Sequence, residues 1–272
     1  MTKEELKAKV DKQQSMIELN KIYNEDCLEG MKRIPDGSVD CIVCDLPYGT
    51  TACAWDSVIP LPVLWSEYKR VVKPHGAIVL TCTQPFTSQL VMSNTKMYRH
   101  QWIWAKNTVT GFANAKKQPL RCFEDILVFG NQSPLYNPQD IVRVNLPHRN
   151  GASVGGATVR GDIEKSRNKG NLRTAGATYT QEYTNYPRQI LYFDSDVDTF
   201  HPTQKPVALI QYLIRTYSNE GDTILDNCMG SGTTAIAAIR EKRNFIGFEL
   251  NKEYYDKACK RIKLEQAQLT LF

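Results

Sequence analysis

The apolar residues of this chain cluster in short, β-branched runs: VDCIVC at 39–44, GAIVLTC at 76–82, DTILDNC at 222–228 and NFIGFEL at 244–250. Runs of that length and composition predict buried strands. Between them lie longer stretches of mixed character, 62–73, 206–218 and 233–242, with a last one near 252–266, and these predict helices. The 206–218 stretch carries its apolar stripe on Ile210, Leu213, Ile214 and Tyr217. Strands that are apolar almost throughout and alternate with helices imply an α/β fold: a Rossmann-like, mostly parallel sheet with helices on both faces. Two more strand-like runs, MYRHQWIWAK at 97–106 and RCFEDILVF at 121–129, predict an antiparallel hairpin on the sheet edge. Residues 3–17, with Leu6, Val10 and Ile17 among charges and glutamines, predict a weak amphipathic helix suited to capping the fold or to pairing in a homodimer. Over 131–200 the periodicity gives way to Gly, Asn, Thr and Arg, and so long a loop inside a domain is expected to be a functional insertion or to order on binding a partner. The expected organisation is an amino-terminal extension over 1–20, half of the main domain over 21–130, the insertion over 131–200 and the second half over 201–272.

With 272 residues, 42% of them hydrophobic and 23% charged, the chain can bury a core and falls outside the disordered and fibrous classes. No apolar run approaches the roughly 18 residues of a membrane span. The opening MTKEELKAKVDKQQ lacks the apolar core of a signal peptide, so a cytoplasmic protein is expected. The eight cysteines are scattered and read as small buried hydrophobes. Cys41 and Cys44 form a CxxC, but on a strand positions i and i+3 face opposite sides, which excludes a shared zinc. Net charge is +5, yet residues 96–190 hold 14 basic and 6 acidic side chains, a surplus of +8. A surplus confined to the middle of the chain suits a polyanion-facing surface, against the plainer alternative of a solvated loop.

Three segments carry chemistry. In LDNCMGSGTTAIAA at 225–238 a strand ends at Asp226, and Gly230 and Gly232 make a turn into a helix that opens on Thr233. Such a turn brings backbone close to a ligand, although glycine turns also occur where nothing binds. Glu249 ends the next strand 23 positions after Asp226, where a carboxylate can accept hydrogen bonds from ribose hydroxyls. Ala235 stands where a dinucleotide fingerprint has its third glycine, and no GK[ST] triplet is present. A nucleoside ligand without phosphate, such as S-adenosylmethionine, fits better. In CIVCDLPYGT at 41–50 a buried strand empties into Asp45, Leu46, Pro47 and Tyr48. Ligand crevices in open α/β sheets lie at the carboxyl ends of strands, so Asp45 is expected on the same rim as the Gly230 turn. HPTQKP at 201–206 opens a helix; Thr203 or Gln204 can serve as its cap, and the same helix start can also hold the cofactor's carboxylate with Lys205 adding charge.

These pieces suit one reaction. An exocyclic amino group on a nucleobase is a poor nucleophile because its lone pair is delocalised into the ring. The Asp45 carboxylate and the Leu46 carbonyl can accept its two N–H bonds, holding the nitrogen nearer to tetrahedral and stabilising the positive charge that develops on it. The base must leave the duplex stack, and Tyr48 offers it a flat face.

DLPYG, HPTQKP, DNCMGSGTT and a Glu-ended strand together resemble the beta class of S-adenosylmethionine-dependent DNA amino-methyltransferases, which modify adenine N6 or cytosine N4. The likeness runs from about residue 20 to the end. It implies a catalytic set of Asp45, Leu46, Pro47 and Tyr48, and a cofactor set of Asp26, Cys27, Thr203, Lys205, Asp226, Gly230, Gly232, Thr233 and Glu249. WIWAKN resembles a segment beside the catalytic pocket, so Trp104 and Lys106 are expected near the flipped base. The resemblance makes 131–200 a target-recognition region, whose Arg143, Arg149, Arg160, Arg167 and Arg173 would meet phosphates or guanine edges, as Lys106 would meet DNA. Leu46 departs from the proline usual in the family, but only its carbonyl is needed. Aspartate at position 45 favours adenine-N6 transfer to DNA in a bacterial or phage-infected cell, with a restriction endonuclease as functional partner. Cytosine-N4 transfer and a catalytically silent DNA-binding protein stand as the alternatives.

Overall fold

The computed structural model describes residues 17–49, 58–149, 178–196, 200 and 203–269. In chain order the elements are β1 (Lys21–Tyr23), α1 (Cys27–Met31), β2 (Val39–Asp45), α2 (Leu61–Val71), β3 (Val72–Cys82), α3 (Phe86–Ser93), β4 (Tyr98–Thr110), β5 (Arg121–Phe129), β6 (Val142–Arg149), β7 (Thr178–Thr184), β8 (Ile190–Tyr192), α4 (Val207–Tyr217), β9 (Thr223–Asp226), α5 (Thr233–Arg240), β10 (Asn244–Phe248) and α6 (Lys252–Leu269). The helix expected over 3–17 lies outside the described residues, except for Ile17.

Alternation along each strand sorts its side chains between two cores. On β2, Cys41 and Val43 enter one cluster with Ala77, Val79, Ile126 and Val128, beneath α4 and α5. Ile42 and Cys44 enter the other with Ile78, Leu80, Leu127 and Phe129, beneath α2 and α3. Cys41 and Cys44 thus sit on opposite faces, as the period of two requires. The result is the three-layer α/β architecture expected from the apolar runs.

The eight strands of the main sheet run in the order β1-β10-β9-β2-β3-β5-β4-β8. The five from β1 to β3 pair in parallel, β5 runs antiparallel to both β3 and β4, and β8 pairs parallel with β4. The predicted β4–β5 hairpin is present but does not form the edge, because β8 covers β4 with Ile103 opposite Ile190. A three-residue strand inside a polar stretch leaves too little periodicity to be read from sequence. It shields an otherwise long unpaired strand.

Among the described residues, 138–187 separate from the rest as a second unit. There β6 and β7 pair antiparallel, from Val142 opposite Thr184 to Arg149 opposite Thr178, in a stretch where no regular structure was expected. TYTQEYT is rich in strand-forming Thr and Tyr, but it lacks the apolar face on which the prediction relied.

The β2–β3 register shifts between Val39 and Cys41, and Gly76 lies against this irregularity. A Cβ on Gly76 would come within 2.7 Å of the Asp40 carbonyl oxygen and 2.5 Å of Val72 Cγ1. Because backbone cannot step aside, Gly76→Ala should destabilise the protein by about 1–3 kcal/mol. Urea unfolding checks this, and an unchanged midpoint would contradict it.

Candidate active site at the carboxyl ends of two parallel strands

Strands β2 and β9 are parallel neighbours, with Cys41 opposite Ile224 and Ile42 opposite Leu225. From this pair the sheet grows outward to β3 on one side and β10 on the other, and the helices α2 and α5 pack on opposite faces. Such a switch in direction opens a crevice at the strands' carboxyl ends. A cavity of about 210 Å³ lies there, and its walls include Asp26, Cys27, Asp45, Leu46, Pro47, Tyr48, Thr203, Lys205, Asp226, Gly230, Thr233 and Glu249. All the expected catalytic residues and all but one of the expected cofactor residues therefore meet in one space.

The exception is Gly232, which is not among the lining residues. Its φ of +79° starts α5, and a Cβ there would come 3.2 Å from Ala258 Cβ. Its place is in helix initiation and packing against α6. Gly230, with φ +51°, does line the cavity and donates its N–H to Glu249 Oε2 at 2.7 Å. Asn251 N–H donates to Glu249 Oε1 at 2.8 Å. Burial raises the Glu249 pKa, and these two N–H groups oppose the rise. A second lone pair on each oxygen stays open to hydroxyl donors. Asp26 is the cap of α1, accepting from Leu28 N–H at 2.8 Å and Glu29 N–H at 3.2 Å, and lines the cavity as well. Beside it the Cys27 thiol is held below its usual pKa by Cys228, against the effect of burial. The Thr233 hydroxyl is engaged by the Ser231 hydroxyl at 3.0 Å and by Arg261 at 3.1 Å.

Asp226 is 4% exposed and accepts the Cys228 N–H at 3.0 Å. Burial pushes its carboxyl up to about 6, aided by the charge of Asp45 and opposed by hydrogen bonds from Thr234, Cys228 N–H and Cys44.

Asp45 stands at the end of β2. Its Oδ1 accepts from the Tyr48 and Thr81 hydroxyls, and its Oδ2 accepts from Lys205 Nζ at 2.6 Å. Burial, followed by the charges of Asp45 and Glu124, pushes the Tyr48 hydroxyl well above its ordinary pKa, so it remains a donor. The Tyr48 ring lies 5.3 Å from Phe86, tilted by 31°. Leu46 is 3% exposed but reaches the cavity wall.

HPTQKP behaves differently from expectation at its helix start. Pro206 is the N-cap of α4 and no side chain caps it, so neither Thr203 nor Gln204 has that duty. Lys205, expected to add charge beside the cofactor, is paired with Asp45 and lies 3.4 Å from Glu124 Oε2. Burial would lower its pKa, but Asp45 and Glu124 outweigh burial and the net shift is upward. Lys106, expected to meet DNA, is bound to Glu124 Oε1 with its ammonium 4.8 Å from the Trp104 ring centre. Glu124 and Thr81 were not recognised in the sequence. Each lies beside an apolar run, Thr81 after AIVL on β3 and Glu124 before the run DILVF on β5, and polarity at the edge of a buried run is the one signal that marks them.

The end of β4, the connection to β5 and the start of β5 are exposed at 107–119 and 121–123, and carry Lys116, Lys117 and Arg121 with no acidic side chain. Phe112, in a single 3₁₀ turn near its tip, is 67% exposed. Arg143 is exposed on β6, and the backbone of Arg149 ends that strand. Arg160, Arg167 and Arg173 lie outside the described residues. Among the described residues no helix is long and apolar enough to cross a membrane, and no group of His, Cys, Asp and Glu is arranged to hold a metal.

The cavity walls carry the carboxylates of Glu25, Asp26, Asp45, Asp226 and Glu249 against the single ammonium of Lys205. That balance repels phosphates and favours a cation. This combination of sheet, acidic crevice and strand-end carboxylate has relatives of known class. The model of the DNA methylase family of N6 and N4 methyltransferases matches residues 39–260, and the chain belongs to that family. The Type II methyltransferase M1.MboII of Moraxella bovis is 28% identical over 256 residues, covering 89% of this chain and 96% of its own length. The DNA adenine methyltransferase YhdJ of Escherichia coli K12 is 27% identical over 259 residues, covering 90% and 83%. Among solved structures, the M1.HpyAVI–SAM complex superposes with a TM-score of 0.60 at 24% identity, covering 89% of this chain and 98% of that one. The cytosine-N4-specific PvuII DNA methyltransferase gives 0.63 at 14% identity, covering 90% and 87%. The fold is therefore shared with a protein named for cytosine N4, and the sequence likeness extends to one named for adenine.

A buried carboxyl whose pKa is raised on folding is worth most to stability while it is protonated. The Asp226 contribution should therefore be full below about pH 4 and fall as pH rises to about 6, by roughly 3 kcal/mol in all. Asp226→Asn should remove this fall. Urea unfolding at pH 4, 5, 6 and 7 checks it, and identical slopes for both proteins would contradict it.

Proposed function

We propose that this protein transfers a methyl group from S-adenosylmethionine to the exocyclic N6 of adenine in DNA, on a base turned out of the duplex. The observation that carries this reading is the shared cavity: Asp45 and Leu46 stand in the same walls as Asp226, Gly230 and Glu249. The acidic lining suits a cationic sulfonium ligand that carries no phosphate, and M1.HpyAVI was solved as a SAM complex. When bound, S-adenosylmethionine supplies an electrophilic methyl group. Glu249 is the ribose acceptor in this reading, positioned by the Gly230 and Asn251 N–H bonds. Asp26, Cys27, Asp226 and Thr233 complete the cofactor wall.

Asp45 and the Leu46 carbonyl accept the two amino N–H bonds of the target. This draws the nitrogen lone pair out of conjugation, and the carboxylate stabilises the positive charge that forms there. Pro47 fixes the backbone that follows the carbonyl, and Tyr48 supplies a ring where the base has lost its stacking neighbour. Adenine is favoured by aspartate at position 45, and YhdJ carries an adenine name. M1.MboII is named as Type II, which supports a restriction endonuclease as the functional partner. Lys116 and Lys117 on the exposed β4–β5 connection and Arg121 at the start of β5 are proposed phosphate contacts, as is Arg143 on β6.

Asp45→Ala should lower methyl transfer to DNA by about a thousandfold while cofactor binding persists. Mass spectrometry of digested DNA, which also separates N6-methyladenine from N4-methylcytosine, and calorimetry with S-adenosylmethionine make the comparison. A fully active variant would contradict the mechanism, and N4-methylcytosine as the product would overturn the choice of base. Replacing Lys116, Lys117 and Arg121 together by alanine should reduce the slope of log affinity against log salt by about 2 to 3. An unchanged slope would show that the connection does not touch the backbone.

A further inference from the structure

Lys205 lies between two carboxylates that hold it unequally. Its ammonium donates to Asp45 Oδ2 at 2.6 Å, has the Thr203 carbonyl at 3.4 Å, and has Glu124 Oε2 at 3.4 Å, too long for a strong charge-assisted hydrogen bond. Glu124 Oε1 is already taken by Lys106. Glu124 Oε2 is buried and accepts no hydrogen bond among the described residues. A buried carboxylate oxygen left in that condition is costly and marks a place where a donor can arrive.

Asp45 has the opposite difficulty. With two hydroxyls on Oδ1 and an ammonium on Oδ2, only one of its four lone-pair sites is left for an amino group, and that site lies beside the ammonium. The tight ammonium also cancels the charge with which it would stabilise a cationic nitrogen. We infer that Lys205 has two stations: it rests on Asp45 while the base pocket is empty and moves to Glu124 Oε2 when an amino-bearing base takes its place on Asp45. This rests on the reading of Asp45 as the acceptor of the target amino group. A displacement of about 1 Å exchanges the two contacts, since a charge-assisted N–H···O bond measures about 2.7–2.9 Å. No proton is transferred. Asp45, Glu124, Lys205 and Lys106 carry two charges of each sign before and after the move, so the buried cluster stays neutral. Glu124 and Lys205 are then positioning residues that act through Asp45.

The test uses the full-length protein in single-turnover methylation of a DNA substrate at saturating cofactor, over a range of pH. The titratable and charged groups around Asp45 are Cys44 and Tyr48 on its own segment, Cys82 on β3, Glu124 on β5 with Lys106 of β4 paired to it, Lys205 before α4, and Asp226 on β9. Asp226, pushed up to about 6, also titrates on the acidic side, so shifts of the acidic limb are compared between variants that all retain it. Glu124→Gln removes the charge of the second station and leaves Lys205 on Asp45. Its rate should fall about tenfold or more, with cofactor and DNA affinities unchanged and the acidic limb moved to lower pH. Lys205→Met strips Asp45 of its ammonium and should move the limb to higher pH.

A purely structural role would move both limbs in the same direction or neither, and that result overturns the inference. So does a Glu124→Gln protein with the native rate. If Glu124→Gln does not fold, Glu124→Asp keeps the charge but shortens its reach, and should show a lowered rate that Lys205→Arg, with its longer reach, partly restores in the double variant; no restoration overturns the inference. Asp45→Asn separates the two levels. If it is fully active, the reading of Asp45 itself fails; if it is inactive while Glu124→Gln behaves as native, only the two-station exchange fails.

Discussion

The site depends on β2 and β9 lying side by side and running the same way. Parallel pairing puts the carboxyl ends of both strands on one rim, and the divergence of the sheet from this pair keeps the rim open. Reversing or separating either strand would send Asp45 and Asp226 to different edges. The two cores hold the arrangement in place, because each strand residue is fixed to one face by its side-chain period.

Bringing strand ends together also brings carboxylates together. Asp226, deep at the end of β9, meets this through a raised pKa and hydrogen bonds from Cys228 N–H and Thr234. Asp45, at the more open end of β2, meets it through an ammonium and two hydroxyls. The difference suits the roles proposed for them. A carboxylate that must receive a substrate needs partners that can give way, whereas one that shapes a cofactor wall can keep its partners.

The central α/β pattern was legible because each strand is a short run of apolar residues bounded by polar ones, and Asp45, Asp226 and Glu249 stand where such runs end. Gly230 and Gly232 look alike in the sequence, and the approach of Ala258 to the second shows its packing role. Glu124 escaped notice because its partners, Lys106 and Lys205, lie 18 and 81 positions away. The pairing of Lys205 with Asp45 spans 160 positions, and no local pattern encodes it. Strand β8 was hidden by its length, and β6 with β7 by the lack of an apolar face.

The most direct test is a crystal structure of the protein with S-adenosylmethionine and a DNA duplex bound. The ribose hydroxyls are expected on Glu249, and the methyl carbon is expected about 3 to 3.5 Å from a nitrogen held by the Asp45 carboxylate and the Leu46 carbonyl. A cofactor seated away from this rim, or a base amino group held by other residues, would contradict the shared-rim mechanism.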